Sequence, residues 1–122
     1  MTLGAVTPIL RSFDAAKLRE FYVDFLGFTV DWEHRFEPQF PIYMQVSRGD
    51  CLLHLTGHQG DAMPGANLRI PCEDVHALLA ELRAKPYAAL SPGLDNPPWG
   101  GEEVTLTDPF SNRLTFFKEH SV

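Results

Sequence analysis

The order of elements along this chain repeats, and that repeat limits the fold more than any other feature. Apolar periodicity gives strand, helix and strands in the first half, then a short polar stretch, then strand, helix and strands again. The repeat is one of pattern, because the two halves share few residues. One such half is a small sheet with a helix on one face, which can close neither a core nor its own edges. Pairing two halves predicts an α+β fold. Two βαβββ modules would form a curved mixed sheet with a cleft on one side and the helices on the outer face. The expected limits are module 1 over about 1–57, a linker over 58–65 and module 2 over about 66–120, all in one domain spanning 1–122.

Residues 3–10 form a short apolar run with Pro8 inside it. Proline cannot donate to a ladder, so this run is expected at an edge, a bulge or a place where chains exchange strands. Ser12 or Asp14 is placed to cap the next helix. Leu18, Phe21, Tyr22 and Phe25 recur there at helical spacing, and Gly27 ends it. Residues 28–36 read as a strand with Phe28, Val30, Trp32 and Phe36 on one face. Residues 41–48 and 51–56 make a hairpin about Gly49-Asp50. In it Ile42, Met44 and Val46 oppose Tyr43 and Gln45, while Leu53 and Leu55 oppose Leu52, His54 and Thr56. Beyond the linker, residues 67–72 are a strand with Leu68 and Ile70 inward. Val75, Leu78, Leu79 and Leu82 form the stripe of a second helix, acidic at its start and basic at its end as the helix dipole prefers. A weak strand is expected near 88–90.

The stretch from Asn96 to Phe117 reads as loop, strand, turn, strand. Pro97, Pro98, Gly100 and Gly101 hold Trp99 on a kinked loop. Residues 103–107 alternate, with Val104 and Leu106 on one face. Asp108-Pro109-Phe110-Ser111-Asn112 is a turn, with proline at its second position and Asp and Asn flanking it. Residues 113–117 return as a strand rich in bulky side chains. Phe21, Phe25, Phe28 and Phe116 are expected in the core and Phe110 at the surface.

A strand followed by Asp-Pro-x-x-Asn and a strand ending in Phe resembles the last hairpin of the vicinal-oxygen-chelate (glyoxalase/bleomycin-resistance) superfamily. The Pro98-Trp99-Gly100 before it is closer to the bleomycin-resistance branch. The opening unit is similar too: Pro8-Ile-Leu-Arg-Ser-Phe-Asp14, a helix with Phe21-Tyr22, then Leu26-Gly-Phe28 and Asp31-Trp32. The resemblance covers nearly the whole chain. It implies the paired-module architecture and an intertwined homodimer whose clefts are built from both chains, with the strand around Pro8 suited to exchange.

Composition removes several classes. The formal net charge is −6, and no Lys/Arg cluster exists to meet a phosphate backbone, so no nucleic-acid partner is expected. An acidic chain is compatible with a cationic ligand. No run of about 18 apolar residues is present, so no membrane partner is expected. No basic segment leads into an apolar block at the start, and residence in the cytoplasm is the expectation. Cys51 and Cys72 lie outside any Cys-x-x-Cys motif and read as buried free thiols.

Enzymes of this superfamily hold a divalent metal. The resemblance puts those ligand places at Thr7, His54, Asn67 and Thr115. Only His54 is a strong ligand, whereas a catalytic site needs about three from His, Asp, Glu or Cys. No metal and no cofactor is therefore expected. His58, His34, His76 and His120 have no second ligand near them in sequence. There is no glycine-rich phosphate loop and no nucleophile elbow, and Glu102 and Glu103 are adjacent on a strand and so point to opposite faces. No catalytic residue is assigned.

If Leu53 and Leu55 pack under the helix, their neighbours face the cleft. That face would carry Tyr43, His54, Asn67, Arg69, Glu103, Thr115 and Phe117, with Trp32 and Phe36 entering from the second strand and Trp99 from the loop. Apolar walls with a few polar handles suit a small-molecule ligand. The expectation is a non-enzymatic protein that sequesters a bulky cationic or aromatic compound, by resemblance a glycopeptide antibiotic. Trp32, Phe36 and Trp99 would stack the ligand, and Asp31 and Glu103 would balance its charge. The alternative is a glyoxalase- or dioxygenase-like enzyme of the same fold acting on a small hydrophobic substrate.

Overall fold

The structure, a computed structural model, describes residues 1–87, 93–98 and 100–118. The weak strand expected near 88–90, the side chain of Trp99 and His120 lie outside the described residues. The chain divides into two compact units, Met1–Pro64 and Gly65–Val122. Each is an α+β module with a mixed sheet. Among the described residues, no helix is long and apolar enough to cross a membrane.

In the first unit β1 (Ile9–Arg11) leads into α1 (Ala15–Leu18), which widens into a π-helical segment over Arg19–Phe25. Asp14 is the cap: its carboxylate accepts from the Lys17 N–H at 3.1 Å. Leu18, Phe21, Tyr22 and Phe25 are all buried on one helical face, as their spacing predicts. Each such side chain contributes about 1.5–3 kcal/mol by leaving water. The strands β2 (Thr29–His34), β3 (Tyr43–Arg48) and β4 (Cys51–Thr56) complete a sheet of order β1-β4-β3-β2, with β1 parallel to β4. Leu10, Met44, Val46, Leu53 and Leu55 supply the sheet side of this core.

Two expectations for this unit need correction. The first strand is three residues long and begins at Ile9, so Pro8 stands just before it and its carbonyl accepts from the His54 N–H at 2.9 Å. The second concerns β2, whose register shifts between Val30 and Trp32. Val30 pairs with the buried Val46, while Trp32 pairs with Gln45 on the opposite face. A bulge at Asp31 inserts one residue and reverses the alternation, so Val30 and Trp32 do not share a face.

In the second unit β5 (Asn67–Pro71), α2 (Val75–Arg83), β6 (Glu103–Thr107) and β7 (Arg113–Phe117) follow in turn. The described sheet has the order β5-β7-β6, again with its first strand parallel to its last. Asp74 caps α2 through a 3.0 Å bond from the Ala77 N–H. Val75, Leu78, Leu79 and Leu82 are buried together with Val104, Leu106, Leu114 and Phe116.

The β6–β7 turn is built by one carboxylate. Asp108 Oδ1 accepts from the Phe110 and Asn112 N–H groups at 2.8 Å, and its Oδ2 accepts from Asn112 Nδ2 at 2.9 Å. Asn112 Oδ1 in turn accepts from the Ala66 N–H at 3.2 Å, which ties the turn to the start of β5. This is the physical content of the Asp-Pro-x-x-Asn motif. Phe110 is buried rather than at the surface, because the turn folds it inward. Cys51 and Cys72 are half-buried, free and not fully enclosed.

Candidate functional site

The face of the first sheet that turns away from its apolar core carries the chemistry. Tyr43, Gln45 and Ser47 alternate with the buried Met44 and Val46, and His54 lies opposite Gln45. The bulge at Asp31 adds Trp32 opposite Gln45 and His34 opposite Tyr43. A tight row of rings results. The Trp32 and Tyr43 rings are within 10° of parallel with centroids 6.0 Å apart. Both meet His54 edge-on with centroids at 5.3 Å. Phe36 meets His34 at 5.0 Å and His58 at 6.3 Å.

These residues wall a pocket of about 430 Å³ lined by Trp32, His34, Phe36, Tyr43, His58 and Asp61. A volume of this size lies in the range of small-molecule sites, about 300–1,000 Å³. Trp32 and Phe36 are 43 % and 73 % exposed, so their faces are open to a ligand.

Beside the pocket, on the same face of the sheet, a chain of hydrogen bonds fixes His54. Asp31 only accepts: its Oδ1 takes Ser47 Oγ–H at 3.0 Å and its Oδ2 takes Gln45 Nε2–H at 3.1 Å. Gln45 must then turn its carbonyl to His54, which donates from Nε2 at 3.0 Å. His54 Nδ1 is left as an acceptor, and the Tyr43 hydroxyl donates to it at 2.8 Å. Both ring nitrogens are engaged, so His54 positions Tyr43 and is not free to ligate. Tyr43 is held above the ordinary tyrosine pKa, first by burial and then by the negative charge of Asp61.

The predicted site residues divide between the units. Trp32, Phe36, Tyr43 and His54 come together in the first, with His54 against Trp32 and Tyr43 as their support instead of a pocket wall. The second unit holds Asn67, Arg69, Glu103, Thr115 and Phe117. Asn67 is exposed at the start of β5. Arg69 donates to Glu103 Oε2 at 2.8 Å, and its guanidinium lies 4.4 Å from the Phe117 ring centroid. Thr115 is buried and bonded to Thr105 at 3.1 Å. Trp99 lies outside the described residues. Sequence reading missed His34, His58 and Asp61 as pocket walls. His34 follows Trp32 by two on β2, and His58 and Asp61 sit in the polar linker, whose only local signal was composition.

Of the two residues expected to balance a ligand's charge, Glu103 is buried and paired with Arg69, whereas Asp31 is exposed and accepts from the neutral Gln45 and Ser47, which leave its charge in place. The residues at the superfamily's metal places do not suit a metal. Thr7 is exposed ahead of β1, His54 is doubly bonded, Asn67 offers one weak oxygen and Thr115 serves Thr105. Among the described residues, no group of three His, Cys, Asp or Glu is placed to hold a metal ion.

The family model described as a glyoxalase superfamily protein matches residues 1–121. The chain belongs to the glyoxalase superfamily. No curated protein sequence matches it. Several similar solved structures are bleomycin-resistance-like. A bleomycin-binding protein from bleomycin-producing Streptomyces verticillus, complexed with copper(II)-bleomycin, is 27 % identical with a TM-score of 0.72, covering 98 % of this chain and 99 % of that one. An antibiotic binding protein, TnmS3 from Streptomyces sp. CB03234, is 24 % identical with a TM-score of 0.76 over 98 % and 99 % of the two chains. A bleomycin resistance determinant encoded on a transposon is 20 % identical with a TM-score of 0.73 over 98 % and 100 %. The superfamily match and these likenesses agree on a small-molecule-binding fold of the glyoxalase/bleomycin-resistance kind.

Proposed function

We propose that this member of the superfamily binds a flat aromatic, partly cationic small molecule and holds it without chemistry, as a bleomycin-type antibiotic would be sequestered. The observation that carries the reading is the pocket of Trp32, Phe36 and Tyr43, stiffened by the Asp31–Gln45–His54 hydrogen-bond chain that ends on Tyr43. Rigid aromatic faces recognise flat rings at small entropic cost, and an orienting network that ends in a donor hydroxyl adds one polar handle. The unsuitable metal places support binding over the metal-dependent isomerase or dioxygenase alternative. A pocket of about 430 Å³ accepts the flat part of a large antibiotic and leaves the rest outside it. A second copy of the chain is the proposed partner, because Leu3, Val6, Ile9 and Phe13 leave the N-terminal stretch apolar and exposed.

The test is a titration with metal-free bleomycin and its copper complex. A Trp99→Phe background makes Trp32 the sole tryptophan of the two in the chain. Saturable quenching at about one ligand per chain is expected, with submicromolar affinity, roughly −8 kcal/mol or stronger. Trp32→Ala, followed by calorimetry, should weaken binding about tenfold, the scale of one aromatic stack. No response up to high micromolar ligand would remove the antibiotic reading.

A further inference from the structure

The pocket contains one carboxylate that the fold leaves half-used. Asp61 Oδ2 accepts from Thr56 Oγ1 at 2.8 Å, whereas Oδ1 meets no protein donor among the described residues. Thr56 is fully buried, and its oxygen accepts from the His58 N–H at 3.1 Å. Its single hydroxyl proton is thereby directed at Asp61, which fixes the carboxylate toward the pocket. No lysine or arginine lines that pocket to neutralise it. The other walls are the rings of Trp32, Phe36 and Tyr43, whose faces carry negative quadrupole charge, and the imidazoles of His34 and His58. A fixed carboxylate with an open acceptor, among aromatic faces, is complementary to a cation that also carries an N–H donor.

We infer that Asp61 determines specificity at this site, receiving a protonated amine or amidine borne on a flat aromatic ligand, with Thr56 as its positioning residue. This rests on the pocket being the binding site and adds to that reading the class of group it selects. The raised pKa of Tyr43 agrees, since part of it comes from the Asp61 charge acting inside the same pocket. A charge-assisted hydrogen bond adds about tenfold in affinity over a neutral contact.

The experiment compares 9-aminoacridine, which is cationic and carries N–H donors at neutral pH, with acridine, which is flat and neutral at pH 7.5. Both are titrated by Trp32 quenching in the Trp99→Phe background. The wild-type pocket should favour 9-aminoacridine about tenfold. In Asp61→Asn, which keeps an oxygen for the Thr56 hydroxyl, the two affinities should fall within about twofold of each other. Thr56→Val should reduce the preference without abolishing acridine binding. If Asp61→Asn keeps the full preference, the cation is held elsewhere and the inference fails while the pocket reading stands. If neither probe quenches Trp32 in the parent, the pocket reading fails and takes this inference with it.

Discussion

The two units share a helix-on-sheet core and a first strand that runs parallel to the last, yet their opposite faces differ. In the second unit the polar groups satisfy one another. Arg69 reaches across β7 to Glu103 and lies on Phe117, and Thr105 meets Thr115. In the first unit the polar groups also form a chain, but it ends in groups that face open space: the Tyr43 ring, the Trp32 face and the second oxygen of Asp61. Pairing Glu103 with Arg69, which also lies on the Phe117 ring, occupies the charges that face could offer a ligand. A face becomes a binding surface through the groups its own fold leaves unsatisfied, not through the number of polar residues it carries.

The turns differ as well, and breaking one should give the largest effect. The β3–β4 hairpin closes with Gly49-Asp50, glycine accepting φ of 58°. The β6–β7 turn depends on Asp108, which is 4 % exposed. Asp108→Ala removes a buried carboxylate from three donors, and urea unfolding followed by circular dichroism should show a loss of about 2–4 kcal/mol. A loss below about 1 kcal/mol would mean that strand pairing alone sets that turn.

An intermediate effect belongs to the first unit and depends on pH. The pKa of Tyr43 is raised in the folded chain, by burial first and by Asp61 second. The unfolded chain therefore loses this proton first. The stabilisation is complete below the ordinary tyrosine pKa of about 10 and is lost as pH rises through the folded value. Tyr43→Phe should show a shallower alkaline decline in stability than the parent, with no difference at neutral pH from this source. Equal slopes above pH 10 would show that the phenol ionises as freely in the folded chain as outside it.

The smallest effect is expected from Arg69→Met in the second unit. Its side chain is half-exposed, so water can reach the buried Glu103 carboxylate that it leaves unpaired, and the loss should be about 1 kcal/mol. Quenching of Trp32 by 9-aminoacridine should not change. A change in that quenching would show that the two faces do not act separately and would undo the contrast drawn between them.

Much of the fold was legible because its cues are local. The stripe of Leu18, Phe21, Tyr22 and Phe25, the caps at Asp14 and Asp74 and the Asp108–Asn112 turn all follow from spacing within a few residues. The site was legible only as a set of aromatics. The bulge at Asp31 left no mark in the residue pattern, and period-two counting placed Trp32 with Val30. Phe110 looked like a turn residue, and its inward packing follows from the three bonds to Asp108. Asp61 looked like linker.

By itself the sequence determined the class of fold, the helices and strands that repeat, the superfamily and the poverty of metal ligands, since these depend on residue types and short-range periodicity. Only the tertiary structure decided which carboxylates are occupied. Asp31, Glu103 and Asp61 are equivalent as letters, but the first has a donor on each oxygen, from Ser47 and Gln45, the second is paired with Arg69, and the third keeps one oxygen without a protein donor among the described residues. That difference arises from cross-strand and loop contacts between residues far apart in the chain, and a carboxylate's use depends on which donors reach it first.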